Sequence, residues 1–99
     1  MSWTELEIQT VWDKGAIAEK INPQKWRKDA CGAWIARNYY GDRSSKFGWE
    51  IDPAPPGTGG GAKDVSKLQP LHWKNAGATN GGKLTCVVTA YGGDNFEFS

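Results

Sequence analysis

The chain has 99 residues, of which 12 are Lys or Arg and 11 are Asp or Glu, so its formal net charge is +1. A chain of this length is enough for one small domain, which we place over residues 1–99, with a core that we expect to hold most of the six Trp residues. The near-neutral charge excludes the broad positive field that identifies some nucleic-acid-binding proteins, and no apolar run reaches membrane-spanning length.

The N-terminal segment predicts a helix over residues 4–14. Capping-box pairs begin at Ser2 and Thr4, apolar residues follow at helical spacing, and Gly15 closes the pattern. The segment lacks the basic and apolar regions of a secretory signal, so we expect a cytoplasmic protein with no membrane partner.

The next segments predict one helical turn and two strands. Asn22 stands before Pro23 as an N-cap does before a first-turn proline, which predicts a helical turn over residues 23–28. Residues 30–37 and 46–52 are short and rich in β-branched and aromatic side chains. We expect them to be strands that pair in one hairpin.

The second half of the chain begins with a Pro- and Gly-rich stretch at residues 53–61, which predicts a loop. Residues 71–77 predict a short helix, and a turn follows it. Residues 83–91 alternate in the manner of a strand, and a Gly-Gly turn then leads to residues 96–98, which predicts a C-terminal hairpin. The fold class expected from these elements is α+β.

Two cysteines, Cys31 and Cys86, are far apart in the sequence and form no CxxC motif. This spacing favours neither a zinc site nor a redox motif. We therefore expect two buried thiols.

The glycine-rich stretch invites comparison with a phosphate-binding loop. In a P-loop the Lys directly follows the last Gly and precedes a hydroxyl. Here Ala62 intervenes before Lys63, and Asp64 replaces the hydroxyl, so nucleotide binding is disfavoured. Pro53 and Pro56 satisfy the PxxP spacing of a polyproline ligand, but such spacing is common by chance and a stiffened loop is the favoured interpretation.

His72 is the only histidine in the chain. A metal ligand or a general base is one interpretation, but no His-x-x-x-His or similar spacing supports it. A structural, hydrogen-bonded histidine is the favoured prediction.

Several motifs together resemble a group of small bacterial and phage HNH-endonuclease-like proteins. They are VWDKG, WRKDACGAWI, FGWEID and SKLQPLHWKN. The family pattern, W-E-I-D-H-I-x-P-x-x-x-G-G-x-D-x-x-S-N-L-Q-P-L-x-W-x-N-N, aligns without a gap from Trp49 to Ala76. The resemblance implies a ββα-metal core, here with an N-terminal helix and an additional C-terminal hairpin.

The resemblance also implies which residues have lost their roles. In that family the first His is the general base, the adjacent Asp and a residue of the following helix hold a divalent metal, and the middle Asn orients the base. Asp52 keeps the metal-ligand position, whereas Pro53 replaces the base, Lys67 the middle Asn and Ala76 the helix ligand. None of these three replacements supplies the lost function, so we expect no catalysis, no bound metal beyond a vestigial Asp52, and no cofactor.

Three functions remain open from the sequence. The first is an inactive HNH-like domain that still binds DNA or RNA. The second is a protein-interaction or regulatory module that has a protein partner. The third, least favoured, is a divergent metal-dependent nuclease that uses Asp52 and His72. The basic residues predicted to serve the first function are Lys25, Arg27, Lys28, Arg37, Arg43, Lys63 and Lys67.

Overall fold

The computed structural model describes residues 3–53, 65–78 and 83–98. Within them the architecture is mixed α+β, with two helices and three antiparallel pairs of short strands, which confirms the predicted class. The elements are α1 (Glu5–Trp12), β1 (Trp26–Lys28), β2 (Trp34–Ala36), β3 (Trp49–Pro53), β4 (Leu68–His72), α2 (Trp73–Gly77), β5 (Val88–Tyr91) and β6 (Asp94–Glu97), with 3-10 turns at Arg37–Tyr39 and Val65–Lys67.

Helix α1 begins at a capping box, as predicted. The Thr4 N–H donates to Glu7 Oε1 over 2.8 Å, and the Glu7 N–H donates to Thr4 Oγ1 over 3.1 Å. The helix ends at Trp12, before the predicted residue 14, and the chain then turns through Gly15. A Cβ at Gly15 would approach Arg27 Cβ to 3.0 Å, so a larger residue would crowd the contact between α1 and β1.

Strands β1 and β2 form a hairpin that the sequence did not predict. Asn22 does cap a turn, since its side chain accepts from the Gln24 N–H over 2.9 Å, but the expected helical turn over residues 23–28 is wrong because its second half is β1. The Asp29 carboxylate closes the hairpin by accepting from the N–H groups of Cys31 and Ala33.

The predicted pairing of residues 30–37 with residues 46–52 is also wrong. Strand β2 pairs with β1, and β3 pairs with β4. The predicted short helix exists as α2, directly after β4. The predicted loop over residues 53–61 begins one residue too early, because Pro53 is the last residue of β3. Its other residues, 54–61, and residues 79–82 of the predicted turn lie outside the described residues.

The C-terminal hairpin is confirmed. Strands β5 and β6 pair with Tyr91 opposite Asp94, so Gly92 and Gly93 form a two-residue turn. Gly92 has a φ of 61°, a conformation that such hairpin turns require and that glycine adopts without strain.

The expectation of two buried thiols is wrong. Cys31 and Cys86 form a disulfide that joins positions 55 residues apart, and Cys86 is exposed. Sequence spacing gave no sign of it because the two residues meet only after β2 and β5 have packed. Disulfides are typical of oxidising compartments, so the cytoplasmic location stays a prediction. Within the described residues, no helix has the length and apolar character needed to cross a bilayer.

The core lies between α1 and the strands. Its buried members are Ile8, Val11, Trp12, Ile35, Trp49 and Leu68. The rings of Trp12 and Trp49 pack with centroids 5.2 Å apart. Only Trp12, Trp34 and Trp49 of the six Trp residues are buried, whereas Trp3, Trp26 and Trp73 are partly exposed, so the core takes fewer of them than expected.

Candidate functional site

The retained acidic position of the HNH resemblance lies on β3. Asp52 stands opposite Gln69 of β4, and the Gln69 side chain donates to the Pro53 carbonyl over 3.1 Å. The Asp52 carboxyl is half-buried, and burial, followed by the charge of Glu50, raises its pKa. Pro53 stands opposite Leu68 at the last position of the strand, where a missing N–H is tolerated.

His72 is a structural residue in this arrangement. Its side chain is buried, with Nε2 lying 2.7 Å from the Lys46 carbonyl and Nδ1 accepting from the Lys74 N–H over 3.1 Å. A neutral ring with its proton on Nε2 satisfies both bonds. Burial lowers the pKa of His72, which favours this neutral form. Both ring nitrogens are engaged, and the residue caps α2.

Asp52 and His72 do not converge. His72 stands opposite Trp49, which is three positions before Asp52 on β3. That offset is roughly 10 Å along a strand, and an odd offset directs the two side chains to opposite faces of the hairpin. The geometry therefore gives no support to a nuclease built on these two residues.

The helix position of the resemblance holds no metal ligand. Ala76 lies in α2, and its neighbour Asn75 is fully buried. The Asn75 side chain donates to Asp29 Oδ2 and accepts from the N–H groups of Val87 and Val88. Asn75 therefore joins α2 to β5. Lys67 is exposed at the end of a 3-10 turn.

Asp29 is the polar centre that sequence reasoning missed. Its carboxylate is 4% exposed and accepts four hydrogen bonds, two from the β1–β2 turn and two from His72 N–H and Asn75 Nδ2. The available signal was local, because an Asp three residues before a Gly is typical of a side-chain-capped turn. Nothing in the sequence linked it to residues more than 40 positions away.

Across residues 3–53, 65–78 and 83–98, no three His, Cys, Asp or Glu side chains are grouped so as to hold a metal ion.

Two of the predicted basic residues are used inside the fold. Arg27 is buried, and its guanidinium donates to the carbonyls of Pro23, Asp13 and Gly15. Arg37 donates to Gln9 and forms an ion pair with a carboxylate of α1. Their sequence neighbourhood resembles a basic patch, but their side chains hold α1 to the β1–β2 hairpin.

The other predicted basic residues are more accessible. Arg43 forms an ion pair with Glu50. Among the described residues, Lys25, Lys28 and Lys67 have no carboxylate within ion-pair distance. Lys63 lies outside the described residues. The described members of the predicted set therefore differ in their surroundings, and Lys25 directly precedes β1 whereas Lys28 is its last residue.

Arg27 and Ile35 lie on one face of the β1–β2 hairpin, and we call the opposite face, where Trp34 and Ala36 are also buried, the outer face. It carries Trp26, Lys28, Trp34 and Ala36, because Trp26 pairs with Ala36 and Lys28 with Trp34. The Lys28 ammonium lies 4.8 Å from the centroid of the Trp34 ring.

Two clefts border this face and share Trp26. The first, which we call the Trp26 cleft, has a volume of about 200 Å³ and is lined by Lys25, Trp26, Ala36, Asn38 and Tyr39. The second has a volume of about 130 Å³ and is lined by Ile21, Trp26, Trp34 and Gly93. Sequence reasoning named Lys25 and Lys28 but missed the aromatic residues between them.

Comparison with protein-family models, with curated proteins and with solved structures found no match to this chain.

Proposed function

We propose that this chain is an HNH-like domain that binds nucleic acid without cutting it. The resemblance from Trp49 to Ala76 supports the family assignment, and the order of β3, β4 and α2 is the order that a ββα core requires. The observation that carries the binding proposal is the segment around β1, where Lys25 precedes and Lys28 follows the partly exposed Trp26 in sequence, and neither lysine has an ion-pair partner among the described residues.

The absence of cutting follows from the chemistry of the replaced positions. Phosphodiester hydrolysis needs a base to activate water and a cation to stabilise charge on the phosphate. The nitrogen of Pro53 is acylated and accepts no proton. His72 has both ring nitrogens engaged, so it does not replace the base.

Binding is tested by titrating labelled single-stranded and duplex oligonucleotides with micromolar protein at low salt. We expect the affinity of the wild type to fall steeply as the salt concentration rises. In Lys25→Ala and in Lys28→Ala, the slope of the logarithm of the binding constant against the logarithm of the salt concentration should be smaller by about 0.7 to 0.9 for each phosphate contact that is removed. Lys46→Ala is the matched control, because it removes the same charge from a lysine that is paired with Asp94. Absence of binding to either oligonucleotide would contradict the proposal.

Cutting is tested by incubating supercoiled plasmid with the protein and Mg²⁺, Mn²⁺, Ni²⁺ or Zn²⁺. We expect no nicking by the wild type and a gain of nicking in the triple variant Pro53→His, Lys67→Asn, Ala76→Asn. Wild-type nicking that disappears in Asp52→Ala would show that the chain is an enzyme.

A protein-interaction module is the second candidate, and the C-terminal hairpin favours it. Tyr91, Phe96 and Phe98 lie on one face of that hairpin and are 77%, 51% and 49% exposed. Exposed aromatic side chains are enriched where proteins bind each other. A partner that is recovered by the wild type but not by Phe96→Ser would support this second function.

A further inference from the structure

The Trp26 cleft exists because of one strand pairing. Trp26 of β1 stands opposite Ala36 of β2, and paired residues share a face. Both residues line the cleft, and the Trp26 ring also packs against Phe47, with ring centroids 5.1 Å apart. The volume of about 200 Å³ suits one flat ring system and is below the 300–1,000 Å³ that is usual for drug-sized ligands.

The far wall of the cleft is held in place by the backbone. The Arg37 N–H donates to the Lys25 carbonyl over 3.0 Å, which fixes the 3-10 turn Arg37–Tyr39 beside the start of β1. Asn38 and Tyr39 of this turn therefore face the cleft together with Trp26. Tyr39 is 42% exposed.

The residues that line the cleft combine three kinds of recognition. The Trp26 and Tyr39 rings offer stacking surfaces, the Asn38 amide offers both a donor and an acceptor, and the Lys25 ammonium offers a positive charge. Among the residues that the structure describes, no carboxylate lines this cleft or its neighbour. Stacking surfaces beside unpaired cations are the features that single-stranded nucleic acids require.

We propose that the Trp26 cleft takes one unstacked base of a single-stranded nucleic acid, with Lys25 and Lys28 contacting the phosphates on either side. This inference rests on the proposed function and specifies the form of nucleic acid. A base inside a duplex is stacked and paired, so only a single-stranded or extruded base enters such a cleft. The second cleft, which also borders Trp26, lies where a neighbouring nucleotide would follow.

The test compares oligonucleotides that differ only in their bases. Labelled 10-mers of DNA and of RNA are titrated by fluorescence anisotropy beside an abasic 10-mer with the same number of phosphates. We expect the base-containing strands to bind about tenfold more tightly than the abasic strand, and Tyr39→Ala to remove most of that difference. Tyr39→Ala should not change the affinity for the abasic strand.

Two controls show whether weaker binding comes from loss of stacking in the cleft. They test the alternatives that the variant unfolds and that removing any exposed aromatic side chain weakens binding. Tyr91→Ala removes a tyrosine that is 77% exposed on the C-terminal hairpin, and we expect it to bind all three strands as the wild type does. The thermal midpoint of each variant is measured in parallel. Asn38→Ala, at an exposed position of the same cleft, gives an independent variant that should also reduce the difference.

The outcomes distinguish this inference from the proposed function. Equal binding of base-containing and abasic strands, with affinity still reduced by Lys25→Ala, would overturn the base site and leave nucleic-acid binding intact. An unchanged affinity for the base-containing strands in both Tyr39→Ala and Asn38→Ala would also overturn the base site. Binding of a protein would then be the better explanation of this surface. Failure of every strand to bind would overturn both.

Discussion

Asn75 is the residue on which three parts of the fold depend. It is fully buried, and its amide reaches the Asp29 carboxylate and the backbone of Val87 and Val88. Buried polar groups lower the free energy of the fold only while their partners are present. Asn75, the neighbour of Ala76, therefore has a structural use.

Replacing Asn75 by Ala should be strongly destabilising. The substitution leaves the N–H groups of Val87 and Val88 and one oxygen of Asp29 without this partner, so we expect the free energy of unfolding to fall by about 2–4 kcal/mol. Urea denaturation followed by Trp fluorescence measures the change. Asn38→Ala, at an exposed site, should stay within about 0.5 kcal/mol, and an equally small effect at Asn75 would contradict the structural role.

His72 predicts a pH dependence of stability. Burial lowers its pKa below the ordinary value of about 6.5, so the unfolded chain binds the proton more readily than the folded chain does. The free energy of unfolding is therefore at its full value above about pH 6.5 and decreases as the pH falls through that value towards the lowered pKa. Asp29, Glu97 and Lys74 modify this shift without reversing it.

The measurement compares wild type and His72→Asn at pH 7.5 and pH 5.5. Asn keeps a helix-capping side chain but has no proton to gain in this range. We expect the wild type to lose more stability between the two pH values than the variant does. Because His72 is the only histidine, parallel curves for the two proteins would show that its environment does not disfavour the charged ring.

At the scale of elements, the sequence correctly predicted the features that depend on neighbouring residues. The capping box of α1, the Gly-Gly turn of the C-terminal hairpin and the short helix α2 each depend on residues a few positions apart. The partner of each strand depends on contacts between distant segments, and here prediction failed for β2 and β3. Residue type also misled the prediction of a basic surface. Arg27 was included in that surface because arginines are mostly exposed, but it is buried.

Asn95 is one of several residues that attach the C-terminal hairpin to the rest of the fold. Its side chain accepts from the Trp34 N–H over 2.7 Å and donates to the carbonyls of Trp34 and Lys46. The nearby Lys46–Asp94 ion pair is exposed, and exposed pairs contribute little. We expect Asn95→Ala to lower the free energy of unfolding by about 1–3 kcal/mol, and Asp94→Asn to have a clearly smaller effect.

Hydrogen exchange of the β5 and β6 amides, together with urea midpoints, tests this difference. Faster exchange confined to the hairpin in Asn95→Ala is the expected pattern. An effect of Asp94→Asn as large as that of Asn95→Ala would mean that the ion pair holds the hairpin.

For the whole molecule, the disulfide between Cys31 and Cys86 is a covalent link between distant parts of the chain. The Cα radius of gyration is 12.5 Å, close to the ~13 Å typical of a compact chain of this length. A small domain buries a smaller fraction of its surface than a large one does, so its core contributes less stability. The link from Cys31 to Cys86 closes 55 residues of chain and so restricts the unfolded state.

Reduction should therefore lower stability substantially. We expect the free energy of unfolding to fall by about 2–4 kcal/mol in the presence of a reductant, and by a similar amount in the double variant Cys31→Ser, Cys86→Ser. The double variant should be insensitive to reductant. A wild-type urea midpoint that does not change on reduction, with thiol titration confirming two free cysteines, would contradict this role.

The same disulfide determines how the protein migrates on a gel after a protease has cut the backbone. The covalent ring from Cys31 to Cys86 contains β2, β3, β4 and α2. A protease that cleaves one peptide bond within the ring leaves both pieces joined as one molecule. Such a nicked protein would run as a single band on a denaturing gel without reductant and as two bands with it, so the gel locates any cleavage site inside or outside the ring.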